Sequence, residues 1–181
     1  MQYYPEAFYY LIDAQSQHEA ALAGFKRRHK QSNYLISAVG DTEGEIFFDS
    51  QDLFGGVASH QAGGEGYTRV PVTTIDSLVS RHNLQGPFLI KLDTHGFEVP
   101  ILNGAARTLP KANLVIIETY NFQVTADSLL FYEMCLYMKE QGFRCIDISE
   151  PMFRKKDRAF WQIDLFFIPA AHPAFQSNSY E

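Results

Sequence analysis

The sequence predicts an α/β fold with a mostly parallel sheet, on three observations. Segments with strand character and segments with helical apolar periodicity alternate through most of the chain. Phe88 to Leu92 is short, apolar and preceded by Gly86-Pro87, as in a buried parallel strand; it ends on Asp93, and a helix follows to about Leu109. The last two strands, Phe143–Ile148 and Phe160–Ile168, are joined by a short basic connection, so the final strand is expected to be antiparallel.

A chain of 181 residues is expected to be one domain with a real core, here residues 1–169 followed by a tail, 170–181. Apolar content of 46% with 20% charge is that of a globular protein, and a net charge of −6 weighs against nucleic acid as the main partner. Cys135 and Cys145 form no CxxC and stand in no His cluster, which predicts a reducing, cytoplasmic setting and no metal site. No apolar run approaches the roughly 20 residues of a membrane span, and Met1 to Pro5 has no signal-peptide character.

In order, Phe8 to Ile12 is aromatic and branched, hence a strand, ending at Asp13. Ser16 is a plausible N-cap for a helix whose apolar face is Ala20, Ala21, Leu22 and Phe25. Its basic end, Lys26 to Lys30, complements the helix dipole and is read as a solvated last turn rather than a phosphate site. Tyr34 to Val39 is the next strand, then Gly40-Asp41 and a turn at 42–44; Glu45 to Phe48 reads as a short edge strand. Residues 50–69 are glycine-rich without a P-loop pattern and are expected to form a flexible flap. Thr74 is expected to cap a helix carrying Ile75, Leu78 and Val79, with Asp76 in its first turn. After the central strand, Phe97, Ile101, Leu102, Ala105, Ala106 and Leu109 share a helix face, with Pro100 tolerated in the first turn. Asn113 to Ile117 is a buried strand ending at Glu118, and the helix of Leu130, Met134, Tyr137 and Met138 stops at Gly142. In the last strand Ile163, Leu165 and Phe167 face one way and Gln162 and Asp164 the other.

The strand end at Asp93 attracts function because open α/β sheets bind ligands at the carboxyl edge. Ile90-Lys91-Leu92-Asp93-Thr94-His95-Gly96-Phe97-Glu98, followed by Leu102-Asn103-Gly104-Ala105, resembles the K-x-D-x-x-G-x-E and L-x-G-A pattern of the FkbM-type S-adenosylmethionine-dependent methyltransferases. Leu11 to Gln15 is similar to the family's acidic second strand, Ser37 to Asp41 to the end of its third, Val72 to Leu78 to the segment before its fourth, and Val115 to Glu118 to its fifth. The resemblance covers about residues 6–150. It implies a Rossmann-like class I sheet, S-adenosylmethionine as cofactor, and transfer of methyl to a hydroxyl of a sugar or small natural product. One departure is large: nothing in residues 1–10 resembles the family's first strand and its D-x-G-A-N-x-G loop. Against the family pattern the sheet lacks its first βα unit, which exposes two strand edges. A clipped N-terminal part is the expectation; a strand from elsewhere, self-association, or a degenerate pocket are the alternatives.

The site residues follow. Asp13 is expected to accept from the ribose hydroxyls of adenosine, with Gly40 and Asp41 near the adenine; the bland alternatives are a helix N-terminal carboxylate and an ordinary turn. Asp93 is expected to orient the cofactor's amino group, to activate the acceptor hydroxyl, or to coordinate a metal. His95 is the candidate general base, and Glu98 stands between a site role and a favourable first-turn carboxylate. Lys91, in an apolar strand, should be paired with Glu118 or Asp93, in a structural ion pair on the pocket floor. Tyr120, Asn121 and Phe122 are candidates for the acceptor side. The rivals are a non-catalytic remnant that binds or self-associates through its sheet edges, and a nucleotide-sugar-binding domain with other chemistry.

Overall fold

The computed structural model describes residues 4–49, 56–59 and 66–180. The chain divides into two compact units, Met1–Thr74 and Ile75–Glu181.

In the first unit the aromatic run forms β1 (Tyr9–Asp13), and a 3₁₀ turn, Ser16–His18, leads into α1 (Glu19–Arg28). Lys26, Arg27 and Arg28 occupy the last turn of α1, where cations meet the negative end of the helix dipole. β2 (Ser32–Ile36) returns parallel to β1, with Tyr9 opposite Ser32 and Asp13 opposite Ile36, and α1 packs against it. The run expected as one strand from Tyr34 to Val39 is divided at Ser37. Its N–H donates to the Asp13 carbonyl at 2.9 Å and its hydroxyl to the Pro71 carbonyl at 2.9 Å. The chain thereby passes from the β1–β2 sheet to a second one, which β3 (Ala38–Val39) enters.

That second sheet adds β4 (Gly44–Asp49), β5 (Val57–Ser59) and β6 (Tyr67–Thr73), in the order β3-β6-β4-β5. β3 is parallel to β6, whereas β4 is antiparallel to both of its neighbours. β4 is therefore an internal strand and not the edge strand expected, which fits its buried Ile46. Of the expected flap, residues 50–55 and 60–65 lie outside the described set; residues 57–59 and 67–69 are strand.

The second unit begins with α2 (Ile75–Arg81), followed by β7 (Phe88–Leu92) and α3 (Glu98–Asn103). α3 is shorter than its apolar pattern suggests, and Asp76 supplies the reason. Its carboxylate accepts the Arg107 and Thr108 N–H groups, both at 2.9 Å, and the Thr108 hydroxyl at 2.6 Å, while its own N–H donates to the Gly104 carbonyl. Groups that a longer helix would have bonded internally are taken by the start of α2, and the chain continues in successive i→i−3 turns.

β8 (Ala112–Tyr120), α4 (Phe131–Glu140), β9 (Phe143–Phe153) and β10 (Phe160–Pro169) complete the unit. The sheet order is β7-β8-β10-β9. β7 and β8 are parallel, while β10 is antiparallel to both β8 and β9, as the short connection between the last strands predicts. Ile90, Leu92, Val115, Ile117, Ile163, Leu165 and Phe167 are buried at alternating positions of the three strands, and α4 packs on β8, β9 and β10 with Met134 and Met138 buried. Each such side chain contributes roughly 1.5–3 kcal/mol of burial. After β10 a 3₁₀ turn, Pro173–Phe175, places the Phe175 ring 4.0 Å from the Arg144 guanidinium.

The fold is thus α/β, with mixed sheets rich in antiparallel pairs. The described strands do not form the single, mostly parallel sheet that the sequence suggests, because β4 to β6 make an antiparallel set and β10 pairs antiparallel on both sides. No helix among the described residues is long and apolar enough to cross a membrane.

Candidate active site

β7 buries only one face. Ile90 and Leu92 point into the core, while Leu89 is 53% exposed and Lys91 and Asp93 stand on its side of the strand. Lys91 is therefore not a buried lysine, contrary to expectation. Its ammonium meets Asp93 at 2.9 Å on an exposed surface, so the pair contributes little to stability, and it is Asp93, not Glu118, that Lys91 engages.

The loop after Asp93 is held by Glu98, which is 4% exposed. One carboxylate oxygen of Glu98 accepts the Gly96 N–H at 2.9 Å and the Thr94 hydroxyl at 3.0 Å. Burial raises the Glu98 pKa; these bonds and the nearby His95 oppose the rise without cancelling it. Gly96 has φ of +86°, and a Cβ there would lie 2.6 Å from the Thr125 hydroxyl and 2.8 Å from Ser128 Cβ. Only glycine fits this turn without strain. The Thr125 hydroxyl also donates to the Gly96 carbonyl at 3.3 Å. His95 thus projects from a loop fixed on both sides.

The end of β8 brings Glu118 to His95. Imidazole Nε2 lies 3.9 Å from Glu118 Oε1, with the two side chains 28% and 15% exposed. The Tyr120 hydroxyl donates to that same oxygen, and Gln162 Nε2 donates to the other at 2.7 Å. Antiparallel register sets these contacts: Glu118 stands opposite Asp164, and Tyr120 opposite Gln162. Burial pushes the Glu118 carboxyl above the ordinary carboxylate range. The Tyr120 bond and His95 counter it, while the charges of Asp93 and Asp164 add to it. Tyr120 is itself buried and bonded to Glu118, which raises its pKa, so it acts as a donor.

An aromatic wall continues from Tyr120. Its ring meets Trp161 edge-on at 5.8 Å; Phe122 stacks on Trp161 at 5.3 Å; and the Arg154 guanidinium lies 3.9 Å over Phe122. Asn121 is drawn off to β10, its N–H donating to the Trp161 carbonyl at 2.8 Å and its amide to the Phe160 carbonyl.

In the first unit Asp13 ends β1, as expected. One of its oxygens accepts the Gln15 N–H at 2.8 Å and the other lies 2.6 Å from His18 Nδ1. The Gly40 N–H is engaged by the Thr73 carbonyl at 3.0 Å, and Asp41 is exposed beside the Thr42 hydroxyl.

The second unit therefore brings together Asp93, His95, Glu98 and Glu118 within two adjoining strand ends, while Asp13, Gly40 and Asp41 lie in the first. Sequence reasoning missed His18, Trp161 and the role of Gln162. Gln162 and Asp164 were legible as one strand face; the register that sets them beside Glu118 was not. Among the described residues no three His, Cys, Asp or Glu side chains converge as a metal-binding group.

The family model of the methyltransferase FkbM domain matches residues 14–145, more than half of the 181-residue chain. No curated protein and no solved structure matches it. With the strand-end signature at Asp93 to Glu98 inside the matched span, the chain belongs to the FkbM methyltransferase domain family.

Proposed function

We propose that this domain is an S-adenosylmethionine-dependent O-methyltransferase whose acceptor is a hydroxyl of a sugar or small natural product. The carrying observation is an imidazole, His95, on a clamped loop 3.9 Å from a carboxylate that two donors fix, inside the span matched by the family. When bound, the methyl donor would supply an electrophilic methyl group on a sulfonium; an alcohol attacking it must lose its proton. His95 would take that proton. Asp93, tethered by Lys91 and exposed, has lone pairs to spare for an ammonium or a hydroxyl. Glu98 would act through the loop it fixes.

The hydrogen bonding of Asp13 supports the same reading. Each oxygen of Asp13 is engaged once and each has a further acceptor position, as a ribose diol requires. Within the first unit Asp13 would hold the ribose, with Gly40 and Asp41 beside the base. The reading carries with it a cytoplasmic location, a small acceptor rather than nucleic acid, and no metal.

The rival reading, binding or self-association without catalysis, draws on β7, which ends its sheet among the described residues with Leu89 exposed. Mass spectrometry of the full chain with S-adenosylmethionine and a panel of sugars and phenols separates the two. A mass gain of one methylene unit on an acceptor, lost in His95→Ala, is the expected result. Absence of transfer across the panel, with a concentration-dependent dimer in light scattering, favours the rival.

A further inference from the structure

We propose that Glu118 is a positioning residue for His95: it holds the imidazole with its N–H at Nε2, toward the end of β8, and leaves Nδ1 as the atom that receives the acceptor's proton. This rests on the reading of the domain as an O-methyltransferase with His95 at the acceptor hydroxyl.

A neutral imidazole has one N–H and one lone pair, and an ionised carboxylate only accepts. An imidazole that turns Nε2 to Glu118 Oε1 at 3.9 Å is therefore most stable with its proton on that nitrogen. The separation is that of an ion pair and not of a hydrogen bond, so what Glu118 supplies is the attraction of its charge for a proton on the nearer ring nitrogen. Glu118 is equipped to hold its place. Tyr120 and Gln162, from β8 itself and from antiparallel β10, each donate to one of its oxygens. Burial, with the Asp93 and Asp164 charges, leaves the Glu118 carboxyl above the ordinary range despite the Tyr120 bond and His95, so its charge is in place at the mildly alkaline pH of the test. Lys91 offsets Asp93 in turn. Glu98 also feels the charge of His95, but its Oε1 is used by its own loop, whereas Glu118 Oε1 is the carboxylate oxygen at ion-pair distance from Nε2.

The step balances. The acceptor oxygen uses a lone pair to form the new O–C bond, the S–C bond breaks with its pair left on sulfur, and the hydroxyl proton goes to Nδ1. The positive charge lost at sulfur reappears on an imidazolium facing Glu118, where a carboxylate is most useful. Glu118 touches no reacting atom, which makes it a positioning residue.

The test reads the proton without donor or acceptor. In the full chain labelled with nitrogen-15, ring nitrogen–proton correlation spectra are recorded at mildly alkaline pH, with the His95 signals assigned by their loss in His95→Gln. The expected wild-type spectrum has the neutral ring protonated on Nε2. In Glu118→Gln the ratio of the two tautomers falls by about tenfold, the effect of removing a carboxylate charge at ion-pair distance. A wild-type ring protonated on Nδ1 overturns the proposal, and so does a ratio unchanged in Glu118→Gln. The wild-type spectrum decides even if that variant does not fold. Because no methyl donor is present, failure here leaves the methyltransferase reading standing, and failure of donor binding leaves this spectrum unaffected.

Discussion

The loop after β7 and the end of β8 each carry a glutamate whose carboxyl burial pushes upward, yet the two are used in opposite ways. Glu98 bonds a backbone N–H and a hydroxyl of its own loop, two and four residues away. Those partners do not titrate, and they make Glu98 a clamp. Glu118 meets an imidazole, a phenol and an amide, drawn from another loop, its own strand and the antiparallel strand beside it. Burial alone does not distinguish a structural acid from a chemical one; the kind of group that faces it does.

The comparison breaks first at Gly96. Gly96→Ala places a Cβ against Thr125 and Ser128 in a left-handed backbone, and is expected to cost about 3 kcal/mol in a urea melt. A loss below about 1 kcal/mol would mean that the loop relaxes freely and is no clamp.

Next comes Glu98 itself. Glu98→Ala leaves a buried N–H and a hydroxyl without their acceptor, at about 2–3 kcal/mol, whereas the Glu98→Gln carbonyl accepts both and costs less than about 1 kcal/mol. The sign with pH follows from the raised folded-state pKa. The folded protein binds the proton more tightly than the unfolded chain, so Glu98 costs stability as pH rises from the ordinary carboxylate range through its raised value. Glu98→Gln should flatten that decline in melts taken across the window.

Asp76 sharpens the contrast from the other side. Burial pushes its carboxyl up, but bonds from Thr108 and Arg107 outweigh burial and hold it below the ordinary value. Its contribution is present above the unfolded carboxylate range and is lost as pH falls through the lowered folded value. Asp76→Asn is expected to cost about 1–2 kcal/mol at neutral pH, with the deficit vanishing in acid melts.

A smaller effect on stability belongs to Glu118→Gln, about 1 kcal/mol, because the one amide oxygen still accepts from Tyr120, while Gln162, which bonded the other carboxylate oxygen, keeps a bond only by turning its own amide so that its carbonyl accepts. Methyl transfer should nevertheless fall by about tenfold or more. A variant that loses stability and activity in proportion would return Glu118 to the structural class.

Much of this was legible because it is local. Asp93, His95 and Glu98 lie within six residues, directly after an apolar run that can only be a strand, and the sequence places them at its carboxyl end. Glu118 was legible as a strand end but not as a hub, since Gln162 lies 44 positions away and only antiparallel register brings it near. Lys91 pairs with Asp93, one of the two partners expected, but its burial was misjudged, because an otherwise apolar strand suggests burial on both faces, whereas Leu89 shows that one face is open. The turns after Asn103 keep nearly the helical spacing, so periodicity could not reveal where α3 stops; the capture of Arg107 and Thr108 by Asp76 could be seen only in three dimensions.

Calorimetric titration of the full chain with S-adenosylhomocysteine tests the central claim most directly. Binding with a dissociation constant on the order of micromolar, weakened in Asp13→Ala and Asp93→Ala and retained in Glu98→Gln, is the result expected of a methyltransferase. No heat at ligand concentrations up to about millimolar would contradict it.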